Sequence, residues 1–319
     1  MNPEHGKQGI LSATSENISR AAAIIQGGGL VAFSTETVYG LGADATNDDA
    51  IACIFEAKGR PRFNPLIIHF ADAAQIDDVV EFNDQAAKLA KTFWPGALTL
   101  VLKRKDNCPI SLLASAGLDT LAVRVPNHPL ANQFIREANT PIAAPSANRS
   151  GQISPTAAEH VLEGLGERVD AILDGGPCDV GIESTVVDLS SETPTLLRPG
   201  GIAREEIETV IGPLDVSNGS EEAPRSPGML SRHYAPSIPI RLNADALKNG
   251  EALLAFGPDA DPHHVNLSRS GDMKEAAANL FAMLRLLDKE KFTGIAVMNI
   301  PETGLGIAIN DRLKRAATS

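Results

Sequence analysis

Apolar residues along this chain switch repeatedly between the spacing of a helix and the alternation or short continuous runs of a strand. Ile18, Ala21, Ala22 and Ile25 fall on one face of a helix predicted over 17–26, which Gly27 to Gly29 end. Asn47 suits an N-cap and Asp48 and Asp49 a first turn. Ile51, Ile54 and Phe55 then carry a helical stripe that stops at Lys58 and Gly59. Strands are predicted over 30–34, 66–70, 97–103, 121–125 and 140–144, then over 171–173, 184–189 and 195–198. Helices over 84–93 and 204–211 accompany them. A further helix opens at Ser154-Pro155-Thr156, with Thr156 and Glu159 in a capping-box pattern. Side-chain alternation sets His69 on one strand face with Ile67, and turns Arg124 away from Leu121, Val123 and Val125.

The pattern breaks at Gly212 to Arg225, a polar segment containing Pro213, Asn218, Gly219 and Pro224 that reads as a linker. Its far end, Ser226 to Pro236, holds too many large side chains for idle spacer and is expected to pack on something. Strands over 238–242, 252–256 and 294–299, with helices over 273–289 and 306–315, then predict a small α/β unit with a mainly parallel sheet.

Composition narrows the classes. With 319 residues at 43% hydrophobic, the chain can bury a large core, more naturally in two domains than one. A formal net charge of -12 argues against coating nucleic acid by bulk electrostatics, so any polyanion must be met by a local basic hollow. Cys53, Cys108 and Cys178 lack metal-type spacing and read as reduced thiols of a cytoplasmic protein. The first twenty residues are polar, and no later apolar run is long and unbroken enough to span a bilayer, so neither secretion nor a membrane is expected.

The candidate chemistry centres on K-G-R-P-R-F-N-P at 58 to 65. Lys58, Arg60 and Arg62 leave a helix end on a segment stiffened by Pro61 and Pro65, an arrangement able to turn cations toward one polyanion. For an isolated basic triplet the blander account is a lysine on the helix dipole and two solvated arginines. Gly40-Leu41-Gly42 with Ala45 mimics a dinucleotide fingerprint, but its glycines begin too late after the strand and no ribose-binding acid follows a second strand. Thr35 and Thr37 sit instead as hydroxyls at a strand's carboxyl end, where open α/β sheets place ligands; turn formation accounts for them equally well. Arg124, bracketed by aliphatics in mid-strand, needs a carboxylate or phosphate partner if covered, and a structural ion pair would serve as well as a substrate.

Together the motifs resemble the Sua5/YrdC/YwlC family in its two-domain form. The resemblance rests on S-T-E-T-V-Y-G-L-G at 34 to 42, K-G-R-P-R-F-N-P-L at 58 to 66, A-V-R-V-P at 122 to 126 and A-P-S-A-N-R-S-G at 144 to 151. It continues through E-S-T-V-V-D at 183 to 188, L-R-P-G at 197 to 200, S-P-G-M and H-Y-A-P within 226 to 236, and the closing G-L-G-I-A-I-N-D-R-L-K-R-A-A. The family implies a YrdC-like twisted open mixed sheet over 1–211 with helices forming a basic cleft. A linker over 212–236 would close on the active site, ahead of a smaller Rossmann-like α/β domain over 237–319.

The implied reaction is condensation of L-threonine, bicarbonate or CO2, and ATP to threonylcarbamoyl-adenylate and pyrophosphate, feeding threonylcarbamoylation of tRNA at adenosine 37. Carried over by position, Thr35, His69, Arg124, Ser146 and Ser184 resemble threonine-site residues, with Arg124 facing the amino-acid carboxylate. Lys58, Arg60, Asn64, Ser115, Asn148, Thr156, Arg198 and Tyr234 resemble nucleotide-site residues, Lys58 and Arg60 being catalytic as well. Ser115 and Thr156 also have ordinary loop and capping explanations. Ser34 replaces the proline found before T-E-T in many relatives, which bears on loop stiffness. Mg2+ is expected only with ATP, since no carboxylate cluster has a metal signature. The product would pass to the tRNA threonylcarbamoyl transferase machinery, with weak RNA binding left open. The alternative is an RNA-binding module of the same fold without catalysis. A carbamoyltransferase of the hydrogenase-maturation type would require a zinc ribbon that the cysteine spacing excludes.

Overall fold

The structure, a computed structural model, describes residues 9–217 and 233–318. Its first elements are β1 (Ile10–Ser12), α1 (Ser15–Gln26), β2 (Val31–Phe33), β3 (Gly40–Asp44), α2 (Asp48–Lys58) and β4 (Ile67–His69). There follow α3 (Asp84–Phe93), β5 (Leu98–Lys103), β6 (Thr120–Arg124), α4 (Pro129–Ala138), β7 (Ile142–Ala143) and α5 (Ala158–Leu165). Then come β8 (Ala171–Asp174), β9 (Thr185–Asp188), β10 (Thr195–Arg198), α6 (Arg204–Ile211) and β11 (Asp215–Val216). These strands form one mixed sheet of eleven in the order β1-β8-β2-β3-β7-β4-β6-β5-β9-β10-β11.

Alternation on β2 shows how the layers divide. Val31 and Phe33 face a cluster built with Ile18 and Ile25 of α1 and with Phe134 and Ile135 of α4. Ala32 faces the larger core of Ile51, Ile54 and Phe55 from α2, Leu89 from α3 and Ile207 from α6. A second, four-stranded sheet carries β12 (Ile240–Arg241), β13 (Glu251–Ala255), β14 (Val265–Asn266) and β15 (Gly294–Val297), with α7 (Met273–Leu287) and α8 (Leu305–Ala316). Its pairings are all parallel, as the strand and helix alternation predicts. The two units share a core in which Val38, Ile153, Ile182 and Tyr234 pack with Leu280, Phe281 and Leu313.

Several expectations need correction. The glycine-rich motif is strand β3, paired antiparallel to β2 and β7. Gly42 is there for proximity, since an added Cβ would lie 2.8 Å from the Ile142 side chain and 2.9 Å from Phe33. Thr156 caps nothing: α5 starts at Ala158 with no side-chain cap. The backbone just before it is tied elsewhere, the Pro155 carbonyl accepting from Tyr39 N and that of Thr156 from Cys178 N. Helix α4, capped by His128, and the short strands β1, β11 and β14 were not predicted at all. Asp215 and Val216, read as linker, pair with β10. Residues 226–232 of the segment expected to pack lie outside the described residues.

Candidate active site

Helix α2 delivers the first cations. Gly59 stands in the left-handed region at φ 61° and closes the helix, its N–H reaching the Glu56 carbonyl and that of Arg60 the Phe55 carbonyl. The chain therefore turns inward at Arg60. Lys58 is 3% exposed, and its ammonium donates to the carbonyls of Ser146 and Asn148. The Arg60 guanidinium donates to the Asn64 carbonyl at 3.2 Å and the Pro65 carbonyl at 3.0 Å. Arg62 is exposed, so the basic platform read from three cations holds two of them.

Arg198 supplies a third buried cation from another strand. A register shift between Leu196 and Arg198 interrupts the β9–β10 ladder, and bulges of this kind re-aim a side chain. Arg198 Nε and Nη2 donate to the Ser184 carbonyl at 3.1 and 2.9 Å, and Nη2 also reaches the Ser184 hydroxyl at 3.2 Å. Burial, and then the neighbouring Arg60, holds the Lys58 ammonium well below the usual lysine range. Burial likewise pulls Arg60 down to about 9, and lowers Arg198.

The parallel register of β4 and β6 sets His69 beside Arg124. Arg124 has the partner that its position demands, and the partner is internal. Its Nη2 lies 2.6 Å from Glu36 Oε1, while Nη1 donates to Thr37 Oγ1 at 3.0 Å and Nε to the Gly96 carbonyl at 3.2 Å. Thr35 Oγ1 donates to the Val38 carbonyl at 2.7 Å and lies 2.9 Å from Thr37 Oγ1, which fixes the T-E-T turn. The imidazole of His69 is driven down to about 3 by burial and then by Arg124, so it is neutral at physiological pH. Ser184 Oγ lies 2.7 Å from Thr99 Oγ1.

These groups meet at one cavity. Thr35, Thr37, Arg60, His69, Arg124 and Ser146 line it, together with Glu183, Ser184, Arg198, His233 and Tyr234. Lys58 does not reach the lining but grips Ser146 and Asn148 from behind. Asn64 and Asn148 are buried beside these cations, and neither Asn64 side-chain atom nor Asn148 Oδ1 has a hydrogen-bond partner among the described residues. Ser115 and Thr156 are buried away from the lining; the Ser115 hydroxyl donates to the Leu112 carbonyl at 3.2 Å. Free volume is about 40 Å³, against roughly 300 Å³ for the smallest ordinary ligand pockets.

Tyr234 is part of that lining. It is 1% exposed at φ 63°, strained for a bulky residue, and its ring stacks on Phe281 at 5.4 Å between centroids. Burial and then Glu183 push its phenol up to about 12, so it stays neutral. Sequence reasoning missed Glu183 and His233 on this lining and Glu36 behind Arg124, and it gave Thr37, singled out as a hydroxyl at a strand end, no substrate. A signal existed for Glu36, because a covered mid-strand arginine implies a carboxylate and the T-E-T motif holds one.

Comparison with known proteins agrees over nearly the whole length. The Sua5/YciO/YrdC family model, described as telomere recombination, matches residues 23–200, and a model described as threonylcarbamoyl-AMP synthase, C-terminal domain, matches residues 202–318. Threonylcarbamoyl-AMP synthase of Bacillus subtilis (strain 168) is 44% identical over 96% of this chain and 94% of its own length. The protein of that name from Pyrococcus abyssi (strain GE5 / Orsay) is 43% identical over 93% of each chain. The crystal structure of P. abyssi Sua5 complexed with L-threonine superposes with a TM-score of 0.90 at 40% identity, covering 97% of this chain and 98% of the other.

Proposed function

The chain belongs to the Sua5/YrdC family, and from that membership, taken with the cavity, we propose that it is an L-threonylcarbamoyladenylate synthase. The reaction joins L-threonine, bicarbonate or CO2, and ATP, and releases pyrophosphate. The threonine nitrogen bonds to the one-carbon unit to give a carbamate; with bicarbonate, a water leaves. A carbamate oxygen then attacks the α-phosphorus of ATP, and the bond to the pyrophosphate oxygen breaks. Two anions must be pressed together, so the chief demand on the protein is charge held in place rather than an acid and base pair.

The observation that carries this reading is the burial of Arg60 and Arg198 beside Ser146 and Ser184 on the same cavity as Arg124, with Lys58 buried behind Ser146 and Asn148. Arg60 and Arg198 would face the triphosphate and stabilise charge growing on the leaving group. Lys58 would hold the Ser146–Asn148 loop that separates the two substrates. Arg124, oriented by Glu36 and Thr37, would receive the threonine carboxylate through donors those partners leave over, and Thr35, His69, Ser146 and Ser184 would orient its amine and hydroxyl. Asn64 and Asn148, with unused polar atoms, suit the nucleotide; Ser115 and Thr156 belong to it only by resemblance.

Tyr234 is the part that must withdraw for ATP to enter, which makes residues around it a lid. Mg2+ would arrive with ATP on phosphate oxygens and water, because Glu183, the carboxylate on the lining, and Glu36, which lies behind Arg124, are each committed to an arginine. Among the described residues no helix is long and apolar enough to cross a membrane, which fits a cytoplasmic synthase whose product passes to a tRNA-modifying transferase. The test is mass spectrometry of the purified chain with threonine, bicarbonate and MgATP. Threonylcarbamoyl-adenylate is expected with threonine and absent with serine or glycine. Salt-dependent RNA affinity with no pyrophosphate release would replace this reading with the RNA-binding module.

A further inference from the structure

One side chain of the second unit grips the strand ends that frame the cavity. Arg312, on α8, is among the largest fully buried side chains. Its Nε donates to Glu183 Oε2 at 2.8 Å, and its Nη1 donates to the Pro199 carbonyl at 2.9 Å. Glu183 immediately precedes Ser184, and Pro199 immediately follows Arg198. One guanidinium therefore clamps the two strand ends that carry the cavity's Ser184 and Arg198. The same guanidinium lies 5.3 Å from the centroid of the Tyr234 ring.

Charge deepens the argument. Glu183 also accepts from Ser154 Oγ at 2.6 Å and is 6% exposed. Burial alone would raise its carboxyl, but Arg312 and then Arg198 outweigh burial and bring it down to about 2, so it is ionised. An ionised carboxylate at this depth must be compensated. Arg312, which is not part of the cavity lining, compensates it, and Arg198 is the next cation acting on it. Without Arg312 the carboxylate would draw on Arg198, which the triphosphate needs.

We infer that Arg312 is a positioning residue through which the second domain sets nucleotide affinity, by holding Glu183 and the Pro199 carbonyl and so keeping Arg198 directed at the cavity. The inference rests on the cavity being a nucleotide and threonine site, and the test separates the two. Calorimetry on the full chain measures affinity for α,β-methylene-ATP, which cannot react at the α-phosphorus, and separately for L-threonine. Arg312→Met is expected to weaken the analogue at least tenfold and threonine less than twofold. Glu183→Gln in that background removes the stranded carboxylate and is expected to return the analogue to within threefold of wild type. Should Arg312→Met not fold, Arg312→Lys, which keeps the charge but cannot reach both partners, is expected to weaken the analogue three- to tenfold with threonine unchanged. Equal loss for both ligands, or a double variant no better than the single one, overturns the positioning role and leaves the proposed synthase standing. Failure of the analogue to bind the wild-type chain overturns both.

Discussion

The two ends of the cavity solve the same problem, a buried cation waiting for an anion, in opposite ways. At the end proposed for threonine, Arg124 is already neutralised, with Glu36 Oε1 at 2.6 Å. At the end proposed for the nucleotide, Lys58 and Arg60 are held by uncharged backbone carbonyls, which satisfy donors without cancelling charge. The difference teaches what each end is built to meet. A carboxylate is a modest guest and can share an arginine already oriented by another carboxylate. A triphosphate carries several charges, so a desolvated cation poised below its ordinary pKa gains most from it. Under the proposed assignment the nucleotide end gives up stability for function, and the threonine end does not.

Removing a cation from each end tests that contrast most severely. Lys58→Met is expected to cut threonine-dependent pyrophosphate release by ~10²–10³-fold, the scale of losing one preorganised charge stabiliser. Its stability should change by less than ~1 kcal/mol, because relief of a desolvated ammonium offsets two lost carbonyl contacts. A large loss of stability in a urea titration would show that Lys58 is structural first. Arg124→Leu should do the reverse, costing ~3–5 kcal/mol by stranding Glu36, whose Oε2 already lacks a partner among the described residues. Adding Glu36→Gln should recover most of that stability while the threonine requirement stays at least tenfold raised. If threonine titrates normally in the double variant, Arg124 has no substrate role.

A gentler probe uses pH. Bound polyanion favours the protonated forms of Lys58 and Arg60, so nucleotide binding takes up protons wherever those groups are partly deprotonated. Affinity for α,β-methylene-ATP must then fall as pH rises through the range, below that of an ordinary lysine, in which Lys58 gives up its proton, tending to ~tenfold per pH unit for each proton coupled. His69, neutral down to about 3, adds no such slope at the threonine end between pH 5.5 and 7.5. A rising nucleotide affinity with pH would remove the two cations from the site.

How much of this was legible depended on whether the signal was local. Helix α2 could be read to the residue, because Asn47, the apolar stripe and Gly59 all belong to one short segment. The parallel second sheet followed from strand and helix alternation in the same way. Strand β3 was hidden, since glycines chosen for close approach to Phe33 and Ile142 look like loop residues until the neighbouring strands are known. Helix α4 offered a start signal in Pro129 at its first position, but its cap is His128 rather than Ser, Thr, Asp or Asn, so the two signals did not coincide. Arg124 could be read as needing a partner, but only the register of β4 and β6, and the turn at Thr35, says that Glu36 is that partner. Arg312 lies 129 positions from Glu183, and nothing in a linear pattern joins them.

The smallest effect belongs to the hinge between Lys58 and Arg60, the two cations proposed to serve the nucleotide. At φ 61° Gly59 has no atom within 4 Å of the place a Cβ would occupy, so Gly59→Ala meets no clash and pays only for the left-handed backbone. That cost is about 1 kcal/mol, and it falls on the turn that sends Arg60 inward while Lys58 remains on the helix. Since Arg60 is also anchored by the Asn64 and Pro65 carbonyls, the turn should hold. The variant is expected to lose about that much stability in denaturant, with the ATP requirement raised less than ~threefold and the threonine requirement unchanged. Unaltered stability would mean that the chain reaches Arg60 without the left-handed cap. A shift in the threonine requirement would mean that the two ends of the cavity are not separable, and the contrast between them would fail at its cheapest point.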